Sequence, residues 1–172
     1  MESREIAILI VDRDREAGAA IKRLLESSLR LECNCILVSS AEEAMILLEA
    51  TLFHLVLTDI QLPGASGLEM CDFIHQTYPN TVVVIVSGLK EIRYAIDALR
   101  NGAFDYVIKP VSQKDMLAAV ERALNYQEVL MAKDYCEQSL EEEIGDLLRL
   151  NRRLRLAMRA SPDKKLAANA SK

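Results

Sequence analysis

Five short apolar runs recur along the chain: Ile6 to Val11, Cys33 to Val38, Leu55 to Thr58, Thr81 to Val86 and Phe104 to Ile108. A stretch with helical periodicity separates each run from the next. This alternation predicts a parallel sheet wrapped by helices. The first, third and fourth runs are almost unbroken Val, Ile and Leu, which suits strands covered on both faces and marks them as the central strands.

Helix starts are signalled by side chains that satisfy otherwise orphaned backbone N–H groups. Ser40 with Glu43, Ser66 with Glu69 and Ser112 with Asp115 all have capping-box spacing. Asp14 is read first as the cap of a helix from about Arg15 to Ser28. A helix from about Lys90 to Arg100 is expected to stop at Asn101-Gly102, where the chain can turn left-handed. Gly64 and Gly67 are read as turn residues that permit positive φ.

After Pro110 no further strand or turn cluster occurs, and Ser112 to about Arg159 reads as one long helix interrupted only by Gly145. Leu140, Ile144, Leu147, Asn151, Leu154 and Met158 step by four and three residues in turn, a coiled-coil seam with Asn151 at an a position. A buried amide pair at one a position favours a parallel homodimer. Leu148 and Leu150 broaden the apolar face, so a higher oligomer or docking against a domain outside this chain is the competing expectation. The organisation expected is a globular domain over 1–125, a helical linker with coiled-coil character over 126–159, and a disordered tail over 160–172.

Composition narrows the class of protein. With 172 residues, 51% of them hydrophobic and 27% charged, the chain reads as one soluble globular domain with an appendage. No apolar run approaches the roughly 20 residues of a membrane span, and the polar start lacks a secretory pattern; the expected location is cytoplasmic. Cys33, Cys35, Cys71 and Cys136 show neither a disulfide framework nor a metal spacing and are read as apolar fillers or surface thiols. His54 and His75 also lack metal-ligand spacing. The net charge of −5 conceals an asymmetry, since Arg149 to Lys172 holds eight basic residues against one acidic residue. That basic end carries no helix-turn-helix pattern, so no specific nucleic-acid binding is expected.

In an open parallel sheet, ligands bind beyond the carboxyl ends of the strands, where the strand order reverses. The polar residues ending the runs are Asp12, Thr58-Asp59, Ser87-Gly88 and Lys109-Pro110. Two carboxylates, a hydroxyl and an ammonium on one edge form a set able to hold a divalent cation through hard oxygen ligands and a phosphoryl group through Lys and Ser. Taken singly, each residue also has a plain structural reading, as a strand cap, a loop start or a surface lysine; the combination carries the functional one.

The spacing of Asp12, the stretch Asp59-Ile-Gln-Leu-Pro-Gly-Ala-Ser-Gly67, Ser87, Tyr106 and Lys109-Pro110 resembles the receiver domain of bacterial response regulators, over about Ile6 to Asn125. The resemblance implies a flavodoxin-like, doubly wound, five-stranded parallel sheet of order 2-1-3-4-5, here with an extended C-terminal helix. It implies a two-component signalling switch, not an enzyme, in which Asp59 takes a phosphoryl group from a sensor histidine kinase or phosphotransfer protein. Asp12, Asp59 and the backbone carbonyl of Gln61 would hold Mg²⁺, Lys109 would pair with the phosphoryl oxygens, and Ser87 would move to hydrogen-bond them. Tyr106 would then swing inward as the switch and pass the change through the C-terminal helix to an effector. Pro110 is expected to follow a cis peptide bond.

One position departs from the family pattern. Where a second acidic residue usually follows the first strand, this chain has Arg13. Asp12 and Asp59 against Arg13 and Lys109 give the pocket a formal charge of zero, and Mg²⁺ should bind more weakly. A guanidinium beside Asp59 would also mimic the cation, which motivates a second reading: a receiver-like dimerisation module independent of phosphorylation. A third reading follows from Asp12-Arg13-Asp14, which resembles the D-x-D motif of haloacid-dehalogenase-type phosphatases. The Gly-Thr expected after that motif is replaced by Arg15-Glu16.

Overall fold

The computed structural model describes residues 5–28 and 32–160, with side chains as far as residue 156. The expected tail over 160–172 lies outside the described residues apart from the backbone of Ala160. Five strands and five helices alternate: β1 (Ile6–Val11), α1 (Arg15–Ser28), β2 (Cys33–Val38), α2 (Ala41–Ala50), β3 (Leu55–Thr58), α3 (Gly67–Thr77), β4 (Val82–Ser87), α4 (Ile92–Arg100), β5 (Asp105–Ile108) and α5 (Gln113–Ala160). All pairings are parallel, in the order β2-β1-β3-β4-β5. This is the doubly wound sheet expected, with β1, β3 and β4 at its centre.

The two-residue period of the strands sorts their apolar side chains into two layers. Leu9, Val11, Val56, Val83 and Ile85 face one side, against Ala44 and Leu48 of α2, Met70 and Ile74 of α3, and Ala98 of α4. Ile8, Ile10, Leu55, Leu57, Val84 and Val86 face the other, against Leu25 of α1 and Met116, Val120 and Ala123 of α5. Burial of a Val, Leu or Ile side chain on this scale is worth about 1.5–3 kcal/mol, so the central strands anchor the sheet. The sequence starts β4 and β5 one residue early, because Thr81 and Phe104 continue the apolar runs but stand just before the ladder begins.

The helix starts form as their side chains dictate. Ser40 Oγ accepts from the Glu43 N–H, Ser66 and Glu69 complete a reciprocal capping box, and Ser112 Oγ accepts from the Asp115 N–H. α4 begins at Ile92, later than the pattern suggests, with no side-chain cap at Glu91. Gly102 has a φ of +88°, the left-handed turn expected after α4.

The chain divides into two compact units, the first running to Met131 and the second starting at Ala132. In the first unit Tyr126 stacks on Phe104 with ring centroids 4.9 Å apart, Gln127 is buried and Leu130 packs on the α1–α5 layer. These contacts carry the globular unit beyond Asn125. The second unit is described as the remainder of α5, whose aliphatic side chains from Leu140 to Leu156 are exposed.

Candidate functional site

Parallel pairing brings the carboxyl ends of β1, β3, β4 and β5 into one row. Chain order reverses between β1 and β3, since β2 lies on one side of β1 and β3 on the other; Asp12 and Asp59 follow these two strands. The backbone positions them, because Asp12 N–H donates to Val38 O and Asp59 N–H donates to Val11 O. Ser87 ends β4, and Lys109 follows β5 with its N–H on Ser87 O. The Lys109–Pro110 peptide is cis.

Lys109 joins the two carboxylates. Its Nζ lies 2.6 Å from Asp12 Oδ2 and 2.8 Å from Asp59 Oδ2. Both acids are almost inaccessible, Asp12 at 2% and Asp59 at 7% exposure, so their charges need compensation within the protein. Asp59 Oδ1 accepts from Ser87 Oγ at 2.8 Å and from the Gln61 N–H at 3.1 Å. Asp12 Oδ1 accepts from the Asp14 N–H. Burial alone would raise the Asp59 carboxyl, but the bonds from Lys109, Ser87 and the Gln61 N–H reverse this and hold it below the usual carboxylate range. Burial likewise opposes the Lys109 charge, and its two carboxylate partners hold the ammonium above its usual value. Asp59 is therefore an anion at neutral pH, with one oxygen on Lys109 and the other on Ser87 and the Gln61 N–H.

A second hydrogen-bonded path leads away from Asp59. Ser87 Oγ, which donates to Asp59, also accepts a long bond from the Leu89 N–H, and Leu89 O accepts from the Tyr106 hydroxyl at 2.6 Å. Tyr106 is half-buried and packs on the layer formed with α2, α3 and α4. Burial pushes its phenol pKa up, and the charge of Asp59 adds to the effect.

Arg13 is exposed, and its Nη2 donates to Gln61 Oε1 at 3.0 Å. The cation seated on the carboxylates is Lys109. Asp14 is also accounted for: its Oδ1 accepts from the N–H groups of Glu16 and Ala17, which caps α1 and uses the second carboxylate of the D-x-D pattern. Neither histidine joins the pocket. His54 Nδ1 accepts from the Ala7 N–H, and His75 lies against Gly102. Cys35 and Cys71 are buried fillers, with burial pushing both thiols up to about 12.

Of two residues beside the site, Glu42 had no signal in the sequence and Gly67 has a role other than the one expected. Glu42 of α2 accepts from the Ala65 N–H and so latches the loop between β3 and α3 from 23 residues away. Gly67 does not have the positive φ expected of it, unlike Gly64 at +76°. Its role is close approach: a Cβ at Gly67 would land on the backbone carbonyl of Asp59. Its own N–H donates to Ile60 O.

The oxygen donors suit a small hard cation. No group of three or more His, Cys, Asp or Glu side chains able to hold a metal occurs among the described residues. Asp12 and Asp59, joined through Lys109 Nζ, present paired carboxylate oxygens, the hard donors that Mg²⁺ takes in ones or twos with phosphate oxygens and water completing its shell.

Comparison with known proteins agrees with this geometry. Residues 8–121 match the family model described as the response regulator receiver domain. The chain is 30% identical over 146 residues to the phosphoglycerate transport system transcriptional regulatory protein PgtA of Salmonella typhimurium, covering 84% of this chain and 34% of that protein. It is 37% identical over 117 residues to the response regulator protein PilR of Pseudomonas aeruginosa, covering 67% of this chain and 25% of that protein. The chain thus spans about a third or less of the length of these relatives. Among solved structures, a CheY-like response regulator receiver domain protein from Methanospirillum hungatei superposes with a TM-score of 0.65 at 31% identity, over 72% of this chain and 96% of the other. The signal receiver domain of an HD domain-containing protein from Pseudomonas fluorescens gives a TM-score of 0.68 at 27% identity, over 75% and 93%. The fold, the row of strand ends and the match over 8–121 have one meaning: the chain belongs to the response regulator receiver family.

Proposed function

We propose that Asp59 is the phosphoacceptor of this receiver and that a sensor histidine kinase or phosphotransfer protein is its donor. The observation that carries the reading is the pair of bonds on Asp59, from Lys109 to one oxygen and from Ser87 to the other. They keep the carboxylate ionised and aligned, as a nucleophile requires. As the P–O bond to Asp59 forms, the donor's P–N bond breaks, leaving an acyl phosphate and a free imidazole. Lys109 Nζ, already against both carboxylates, stabilises the charge on the transferred oxygens. Asp12, Asp59 and the Gln61 carbonyl would hold Mg²⁺, which supplies further positive charge at those oxygens. Arg13 weakens that metal site by adding a cation at its rim.

Phosphorylation then acts through Ser87. A phosphoryl oxygen competes with Asp59 for the Ser87 hydroxyl, and the path from Ser87 to Leu89 to Tyr106 turns this local change into a shift of the loop after β4. The output passes to an effector presented through a homodimer of the C-terminal helix. Incubation with acetyl phosphate and Mg²⁺ should add one phosphoryl group to the intact chain, read by mass spectrometry, and none to Asp59→Asn. Retention of the label in that variant, or its mapping to Asp12, would overturn the assignment.

A further inference from the structure

The second unit of the chain presents a helix whose two halves carry opposite charge. From Asp134 to Asp146 there are six acidic residues and no basic one: Asp134, Glu137, Glu141, Glu142, Glu143 and Asp146. From Arg149 to Arg155 there are four arginines and no acid. Along the same stretch Leu140, Ile144, Leu147, Leu148, Leu150, Leu154 and Leu156 are all exposed, Leu148 at 67%. An apolar stripe of this density marks an association surface.

The orientation of the partner follows from charge and from the residues flanking the seam. In a parallel, in-register pair each residue meets its own copy, so the acidic half faces the acidic half and the arginines face arginines. Leu148 would lie beside Glu143 of the second copy and Leu150 beside Arg155, since flanking e and g positions meet across a parallel seam. Reversing one helix changes both relationships. A register that stacks Ile144 on Leu154 and Leu147 on Asn151 of the second copy sets acidic half against basic half. It also brings Leu148 against Leu148, Leu150 against Leu150 and Glu141 against Arg155. Each Asn151 then loses its amide partner and meets Leu147 of the second copy, two symmetry-related mismatches set against two leucine contacts across the twofold axis and two symmetry-related ion pairs.

We propose that the C-terminal helix binds a second copy of this chain in antiparallel orientation, about a twofold axis level with Arg149. This rests on the homodimer reading above and replaces the parallel pairing that Asn151 alone favours. At 1.5 Å per residue, the two Cys136 residues would stand roughly 40 Å apart along the rod, against about 10 Å in a parallel pair.

Cys136 is exposed while Cys35 and Cys71 are buried, so a Cys33→Ser chain accepts spin labels at Cys136. The expected result is a dimer by sedimentation with a label separation near 40 Å. A dimer with a short separation overturns the antiparallel arrangement and leaves the homodimer standing; a chain that stays monomeric at high micromolar concentration overturns both. In a second test, Glu141→Arg and Arg155→Glu should each raise the dimer Kd at least threefold, and the two together should restore it. Failure of that rescue overturns the register, since in a parallel pair these two positions never meet.

Discussion

Arg13 donates to the side chain of Gln61 at 3.0 Å, although 48 residues separate them. The guanidinium therefore stands at the rim of the pocket, next to the residue whose backbone carbonyl would face the metal. Arg13→Asp removes a cation and adds an anion there, a change on the order of 1 kcal/mol. Mg²⁺ binding measured by calorimetry should tighten about fivefold or more. An unchanged affinity would show that the rim charge is fully screened.

Lys109 is the counter-ion of two buried carboxylates, and its loss leaves them facing each other. Lys109→Met should destabilise the metal-free protein by about 2 kcal/mol or more in urea unfolding with EDTA, because an uncompensated buried charge remains. Added Mg²⁺ should restore more stability to the variant than it adds to the parent, by binding the native state alone. Equal gains in both proteins would argue against a metal site on these carboxylates.

The pH dependence follows from the two shifts at the pocket. Asp59 titrates lower in the folded chain than in the unfolded one, so its stabilisation is present above the unfolded value of about 4 and is lost as pH falls through the lower folded value. Lys109 titrates higher when folded, so its contribution is present below an unfolded value of about 10.4 and is lost as pH rises through the folded value. Unfolding midpoints should therefore plateau through the neutral range and fall at both extremes. In Asp59→Asn the fall below about pH 4 should be shallower; an unchanged acid limb would mean that Asp59 is not coupled to folding.

Gly64, in the loop after β3, and Gly67, the first residue of α3, should respond differently to alanine. At Gly64 the costs are backbone strain at positive φ, about 1–2 kcal/mol, and displacement of the Glu42 carboxylate, the far end of a side chain that can turn away from the new Cβ; phosphorylation by acetyl phosphate should stay within about twofold. At Gly67 the new Cβ meets the Asp59 carbonyl, so either Asp59 or the start of α3 must move. Gly67→Ala should slow phosphorylation at least tenfold, on the scale expected when a reacting group is displaced by about 1 Å. Equal rates in the two variants would show that the Asp59 backbone absorbs the contact.

Local periodicity made much of this protein legible from its residues. Val, Ile and Leu runs at β1, β3 and β4 specify buried parallel strands whichever residues surround them, and serine three positions before an acid specifies a helix start. Since every parallel strand ends on the same edge, strand order alone puts Asp12, Asp59, Ser87 and Lys109 on one edge of the sheet. The end of the globular unit was harder to place, because Tyr126 and Leu130 are held by Phe104 and the α1–α5 layer, not by any break in the pattern of α5.

What only the tertiary structure decided are relationships between side chains distant in sequence. Lys109 lies 97 residues from Asp12 yet bridges it to Asp59; Arg13 turns to Gln61 instead of to either carboxylate; and Glu42 latches a loop 23 residues away. Gly67 is small because the Asp59 carbonyl passes over it, not because its own φ requires glycine. A residue's neighbours along the chain determine its backbone preference and the face it occupies. Which charge it meets, and which atom it must leave room for, depends on how the layers pack, and that energy is shared among residues with no proximity in sequence.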